Sequence, residues 1–248
     1  MRRVWETCKP YPEILTGTAT EESFVANLGA VWERLKLKKD ITVDPRYLNP
    51  EEFVHKRTYF TEAMENLLEA ASRRLLGEPV QAVHHLEVGL GGGKSHTLVL
   101  LYHAAGNGFT ITIERDGRRK LIKFPKSKVV VLDGQLIGFY GYPDLNARTL
   151  WGMMLRQLTE DEEILKYDSW ETPPPSTILR KAIGEEPTVI LVDELVAHLN
   201  SIPKEYWDKV SAFLHNLAKA VAESRRAVLI VTTPKGVEAF EKASNYIG

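Results

Sequence analysis

Hydrophobic positions along the chain change their period near residue 78. Before it they recur every three or four residues, as on one face of a helix; after it they gather in continuous runs of strand length. Phe24, Leu28, Val31 and Leu35 follow the first pattern. With Glu21 and Glu22 at the positive end, they predict a helix starting at Thr20. Asn49-Pro50-Glu51-Glu52 reads as a cap, a first-turn proline and first-turn acids. The stripe continues through Phe60, Met64, Leu67, Ala71 and Leu75, so one helix is expected up to Gly77 and Pro79. Pro10, Pro12 and Gly17 punctuate residues 1–18, which read as an extended arm. Residues 1–78 thus predict a small helical prefix domain.

Beyond residue 78 strands and helices alternate. QAVHHLEV at 81–88 predicts a strand that runs into glycines, and KSHTLVLLYHAAG at 94–106 a helix closed by glycine. FTITIE and KLIKF flank RDGRR, whose Asp116-Gly117 pair predicts a tight hairpin. SKVVVLDG, TVILVDE and RAVLIVTT predict three buried strands; NARTLWGMMLRQL and a stripe of Trp207, Val210, Leu214, Leu217 and Val221 predict helices. Strands that are apolar throughout and separated by helices indicate a parallel sheet covered on both faces. The expected fold is therefore α/β, a sheet of phosphate-loop type over 79–248, behind the helical prefix.

Composition narrows the picture. The chain has 248 residues, 44% of them hydrophobic and 26% charged, with a net charge of −1. That balance gives no support for a large, charge-driven nucleic-acid surface, though local basic patches stay open. The one cysteine, Cys8, excludes an internal disulfide framework and a multi-cysteine metal site, and fits a reducing, cytoplasmic setting. No apolar run reaches the length of a membrane span or a signal peptide.

The chemistry is concentrated in three segments. Gly89-Leu90-Gly91-Gly92-Gly93-Lys94-Ser95-His96 follows a predicted strand and opens a predicted helix, the context that lends a phosphate-binding loop its credibility. Glycines let backbone N–H groups turn inward around phosphate oxygens, and a helix N-terminus adds positive potential. Lys94 is expected to meet the β- and γ-phosphates of ATP and the Ser95 hydroxyl to ligate Mg²⁺. One departure stands at Val88: the usual pattern has Gly or Ala six positions before the lysine, and here the first glycine is Gly89. A merely glycine-rich turn is the competing explanation, weakened by the strand-loop-helix order.

VILVDE puts Asp193 and Glu194 at the C-terminal end of a buried strand, the edge where open α/β sheets bind ligands. Asp193 is expected in the Mg²⁺ shell and Glu194 as the group that orients or deprotonates attacking water. Two acids merely capping the next helix is the simpler alternative. A water-activating acid directly after the metal aspartate also argues against a small-molecule kinase. Thr232, at the end of a strand expected to lie between the two motif strands, is the choice for a γ-phosphate sensor over Thr233; a strand-to-turn role before Pro234 competes closely.

Other candidates carry less. His84 and His85 precede the loop, and His96 and His198 lie near it without metal-ligand spacing. Asp133 and Gln135 end a strand at the same edge, where contact with nucleotide or ordinary turn chemistry is equally open. Arg225 and Arg226 end a helix: they would reach a neighbouring subunit's nucleotide or simply face solvent. Arg115, Arg118, Arg119 and Lys120 surround the hairpin tip, where a phosphate backbone or plain solubility would explain them.

Taken together, VWETCKPYPEILTGTATEESFVANLGAV, DPRYLNPEEFVHKRTYFTEAMENLL, HLEVGLGGGKSHTLVLLYHAAG, TLWGMMLRQL, TVILVDELVAHL and AVLIVTTP resemble a prokaryotic family termed domain of unknown function 499, described as anti-phage-associated and similar to AAA-type ATPases. TYFTEAMENLL and GLGGGKSHTLVLLYH carry the specificity of that resemblance. The resemblance implies ATP and Mg²⁺ as ligands, and a link to DNA modification or phage defence. A nucleotide-dependent switch that controls assembly with a protein partner, with little hydrolysis, is the alternative. It further implies a chain corresponding to the N-terminal part of longer members, acting as a homo-oligomer or with a partner and turning ATP over slowly alone.

Overall fold

The computed structural model describes residues 12–18, 25–88, 93–115 and 117–234. Elements are named in chain order: α1 (Leu28–Trp32), α2 (Glu62–Leu75), β1 (Val83–Val88), α3 (Lys94–Asn107), β2 (Thr110–Arg115), β3 (Arg118–Lys123), β4 (Lys128–Asp133), α4 (Leu150–Leu158), α5 (Ser176–Ile183), β5 (Thr188–Asp193), α6 (Leu195–Ser201), α7 (Trp207–Glu223) and β6 (Ala227–Pro234). Short helical turns fill the connections.

Four strands form one parallel sheet in the order β1-β6-β5-β4. β6 lies between β1 and β5, as expected for the strand that ends in Thr232 and Thr233. All six residues of β5 are buried, which explains why TVILVD is apolar almost throughout rather than alternating. Helices flank the sheet, α4 against β4 and α7 against β6. β2 and β3 pair as a separate antiparallel hairpin, with Gly117 of the connection taking φ +73°. One core joins Leu28, Trp32, Phe53 and Leu68 of the prefix to Leu98, Val131, Leu191 and Ile230 of the sheet layer.

Caps set the helix starts. Thr149 Oγ1 accepts from the Gly152 N–H at 2.9 Å and donates to Asp168 Oδ1 at 2.8 Å. Asp168 sits so close that a Cβ on Gly152 would lie 1.8 Å from its Oδ1, so only glycine fits there. Arg74 performs the opposite task. Its buried guanidinium donates to the carbonyls of Val221, Ala222 and Ser224 around the C-terminal end of α7, and to Ala227 at the start of β6. Carbonyls at the helix end thus meet a charged donor from the prefix.

Three sequence expectations change. The first helix starts at Leu28, because Asn27 is extended and its side chain caps Ala30 N at 2.8 Å; the part expected at 20–24 lies outside the described residues. The helix expected from Asn49 to Gly77 is two. Asn49 does cap Glu52 N, but the first piece ends in a π-helical turn at Arg57, and Thr61 starts α2 by accepting from Met64 N. The hydrophobic stripe runs across this break because both pieces bury their apolar sides in the same core. In the arm, Pro12–Leu15 is a helical turn rather than extended chain, and 1–11 lie outside the described residues.

Candidate functional site

A parallel sheet brings all its strand C-termini to one edge, and the candidate residues gather there. Asp193 ends β5 directly opposite Asp133 at the end of β4. β6 pairs with β5 up to Val192↔Val231, so Thr232 reaches the same level. The carboxylate of Asp193, only 3% exposed, accepts at Oδ1 from the Glu194 N–H (3.1 Å) and, in a short hydrogen bond, from the Thr232 hydroxyl. Successive strand residues point to opposite faces. Thr233 accordingly turns the other way and meets His85 Nε2 of β1 at 2.6 Å. Thr232 is therefore a partner of Asp193, a role that the linear sequence does not disclose.

The first turn of α3 lies at this edge as well. Its cap, Gly93, adopts φ +74°, with open space where a Cβ would point. A side chain is costly in that left-handed conformation, which accounts for glycine here. Thr97 returns both its N–H and its hydroxyl to the Gly93 carbonyl, at 2.9 and 2.8 Å. The N–H groups of Lys94, Ser95 and His96 have no acceptor one turn earlier within the helix. Lys94 and Ser95 are half-buried. Gly89, Leu90, Gly91 and Gly92 lie outside the described residues.

Glu194 occupies an unusual position. It has φ +50°, one of three described non-glycine residues at positive φ, and it stands as the cap of α6. Such a conformation costs on the order of 1–3 kcal/mol and persists where the surroundings over-determine it, often at working sites. The surroundings here are tight. The Gly134 N–H donates to the Asp193 carbonyl at 2.9 Å, and a Cβ on Gly134 would fall 2.0 Å from the Glu194 carbonyl oxygen. The Glu194 carboxyl is pushed above its ordinary range, first by partial burial and then by the neighbouring Asp193 charge. Lys94 and a hydrogen bond with Gln135 pull the other way, so the Lys94 ammonium is within electrostatic range of Glu194.

Gly134→Ala should lower stability by about 3 kcal/mol or more, because the new methyl meets backbone that cannot rotate aside. Denaturant unfolding followed by circular dichroism measures this. An unchanged midpoint would mean that the Gly134–Glu194 approach is not a fixed feature of the fold.

Asp133, in contrast, works inside the molecule. It is 2% exposed, and its two oxygens accept from the Gly29 N–H of α1 and the Gln135 N–H, each at 2.9 Å. Burial, reinforced by Asp193 and Glu194, pushes its carboxyl up to about 6, while the two N–H donors hold it down. A Cβ on Gly29 would stand 2.6 Å from Asp133 Oδ2, so the carboxylate ties the prefix to the sheet edge. Its open sequence alternative thus resolves to local structure.

The histidines are structural. His96 packs its ring on Phe53 and bonds Thr58 Oγ1 at 3.2 Å, leaving only its backbone N–H facing the role assigned to it. His198, fully buried and kept neutral by burial, donates from Nδ1 to the Ile137 carbonyl at 2.7 Å and stacks on Trp170. Among the described residues, no group of three or more His, Cys, Asp or Glu is placed to hold a metal ion. Arg225 and Arg226 precede β6, at the opposite end of the sheet from Asp193 and Lys94. Arg226 Nε donates to the Leu75 carbonyl, fastening α2. The sequence places them near the site because they lie between motifs; the strand direction carries them to the other edge.

The family model for the N-terminal domain of domain of unknown function 499 (DUF499) matches residues 21–245. The chain belongs to the DUF499 family. The match spans both the prefix helices and the sheet of this DUF499 chain. A search of curated proteins found no match. No helix among the described residues is long and apolar enough to cross a membrane.

Proposed function

We propose that this DUF499 chain binds ATP with Mg²⁺ and hydrolyses the γ-phosphoryl bond. The observation that carries the reading is convergence: Lys94, Asp193, Glu194 and Thr232, from two strand ends and one helix start, share a single sheet edge. Each has a role that its surroundings suit. The first N–H groups of α3 and the Lys94 ammonium meet the phosphates. Glu194, its carboxyl raised above the ordinary range by partial burial and anchored beside Gln135, accepts a proton from the attacking water. Thr232 fixes the rotamer of Asp193.

The side chains fit Mg²⁺. In phosphate sites this ion takes one or two protein oxygens and completes its octahedron with phosphate and water. The Ser95 hydroxyl and the Asp193 carboxylate supply that number, so a cluster of three protein ligands is not required. Mg²⁺ held by Ser95 and Asp193 would supply positive charge to offset the charge that develops on the phosphates. Among the described residues, open space lies where a Cβ on Gly93 would point, and this suits a close approach of phosphate to the first turn of α3.

Calorimetric titration with Mg-ATP, followed by phosphate-release measurements, tests the proposal. Binding with one site per chain and measurable turnover are expected. Absence of nucleotide binding would overturn the reading; binding without turnover would leave a nucleotide-controlled switch in its place.

A further inference from the structure

We propose that the cleft between the β2–β3 hairpin and the start of α2 binds the phosphate backbone of a nucleic acid. A cleft of about 670 Å³ opens there, lined by Arg115, Arg118, Arg119, Lys120, Ile113 and Glu65. Four cations thus surround one carboxylate.

Strand register explains how they come together. Arg115 stands directly opposite Arg118, Ile113 opposite Lys120, and Ile111 opposite Ile122. Directly opposed residues share a face, so Arg115, Arg118 and Lys120 lie on the face whose isoleucines are buried. Like charges directly opposite each other destabilise a hairpin. Acids of α2 offset only part of this charge. Arg115 meets Glu65 at 3.3 Å and the Phe60 carbonyl at 2.7 Å, while Lys120 meets Glu65 and Glu69 at 2.9 and 2.6 Å. Among the described residues, Arg118 and Arg119 form no ion pair, and both are exposed. The fold therefore retains a local repulsion at an exposed tip, where folding alone favours a neutral turn.

The character of the cleft selects the ligand. Arginine forks match phosphate oxygens bidentately. Arg119 points from the opposite face of the hairpin to Arg118, so the cations follow a line around the tip rather than converging on one point. A line of positive charge suits a chain of phosphates better than a single phosphate group. Among the described residues no aromatic side chain lines the cleft, so nothing there stacks on bases and little sequence preference is predicted. The proposal is independent of the nucleotide reading, since none of these residues belongs to that site.

Fluorescence anisotropy with the full chain and short labelled DNA and RNA duplexes tests it across a salt series. The parent is expected to bind, with log K falling linearly in log salt. Arg118→Ala with Arg119→Ala should weaken binding about tenfold or more at low salt. It should also flatten the salt slope by about one for each guanidinium that meets a phosphate. Arg118→Ala relieves repulsion with the opposed Arg115, whereas Arg119 stands opposite Glu114. The two changes offset, so the unfolding midpoint should stay close to that of the parent, which separates lost binding from lost fold. DNA and RNA binding alike would indicate recognition of backbone charge; preference for one would identify the duplex form recognised. The proposal is overturned if the parent binds neither duplex at low salt or if the double variant binds with unchanged affinity and slope. It is also overturned if polyglutamate competes as well as nucleic acid per unit charge, which would identify an acidic protein surface as the ligand.

Discussion

Replacing Glu194 with glutamine should leave the affinity for Mg-ATP close to that of the parent and lower turnover roughly 10²–10⁴-fold, the usual contribution of a positioned general base. The substitution suits this position because it conserves shape at a residue held in the left-handed region, where a larger change would disturb the backbone as well as the chemistry. It also leaves a side-chain amide able to bond Gln135, so the neighbouring turn need not move. The parent's rate should fall on acidification at a pH above the ordinary carboxylate range. Partial burial raises the Glu194 carboxyl, and proton abstraction requires its ionised form. In the glutamine variant that acidic limb should vanish from whatever rate remains. Phosphate release at saturating Mg-ATP over a pH series provides the measurement. Turnover at the parent rate, with the limb intact, would reduce Glu194 to a strained helix cap and remove the hydrolytic part of the proposal.

Such a test was legible in the sequence because the strongest signals lie where local and global constraints coincide. VILV is apolar throughout because β5 is buried along its whole length, and the two acids after it, Asp193 and Glu194, fall at the sheet edge by the geometry of any parallel strand. The start of α3 at Lys94 was legible in the same way, from glycines followed by a helical pattern; residues 89–92 themselves lie outside the described residues. What the sequence obscured depends on partners distant along the chain. Nothing in residues 227–234 says that Thr232 will bond Asp193 and Thr233 will bond His85; that assignment follows from the strand order β1-β6-β5. Asp133 showed the same ambiguity. Its position at a strand end suited contact with nucleotide as well as a turn, and the distant Gly29 N–H decides between them. The break between Arg57 and Glu62 escaped notice because a hydrophobic stripe records which side is buried, and two helices packed on one core can share it. Arg225 and Arg226 were open between a neighbour's nucleotide and solvent for a simpler reason. Proximity in sequence to a motif strand does not say at which end of the strand a residue will emerge.

The second large effect is expected on binding. Lys94→Ala should weaken Mg-ATP affinity at least roughly a hundredfold, since each hydrogen bond to a charged group contributes about 1.5–3 kcal/mol and the ammonium is expected to meet both the β- and γ-phosphates. The backbone N–H groups of the first turn of α3 and the helix dipole remain in the variant, which explains why some affinity should survive. Alanine is a strong helix former, and the first turn keeps its Gly93 cap with both Thr97 bonds, so helix formation should be little changed. The fold should therefore hold, with an unfolding midpoint close to that of the parent in the absence of nucleotide. In the presence of saturating Mg-ATP the two proteins should diverge. A ligand that binds only the native state raises stability in proportion to the logarithm of its concentration over its dissociation constant, so the parent midpoint should rise and the variant midpoint barely move. Calorimetric titration gives the affinity directly, and the midpoint shift checks it by an independent route. If the variant binds Mg-ATP as tightly as the parent, Lys94 does not contact the phosphates, and its nearness to Glu194 would mark a local ion pair at the sheet edge.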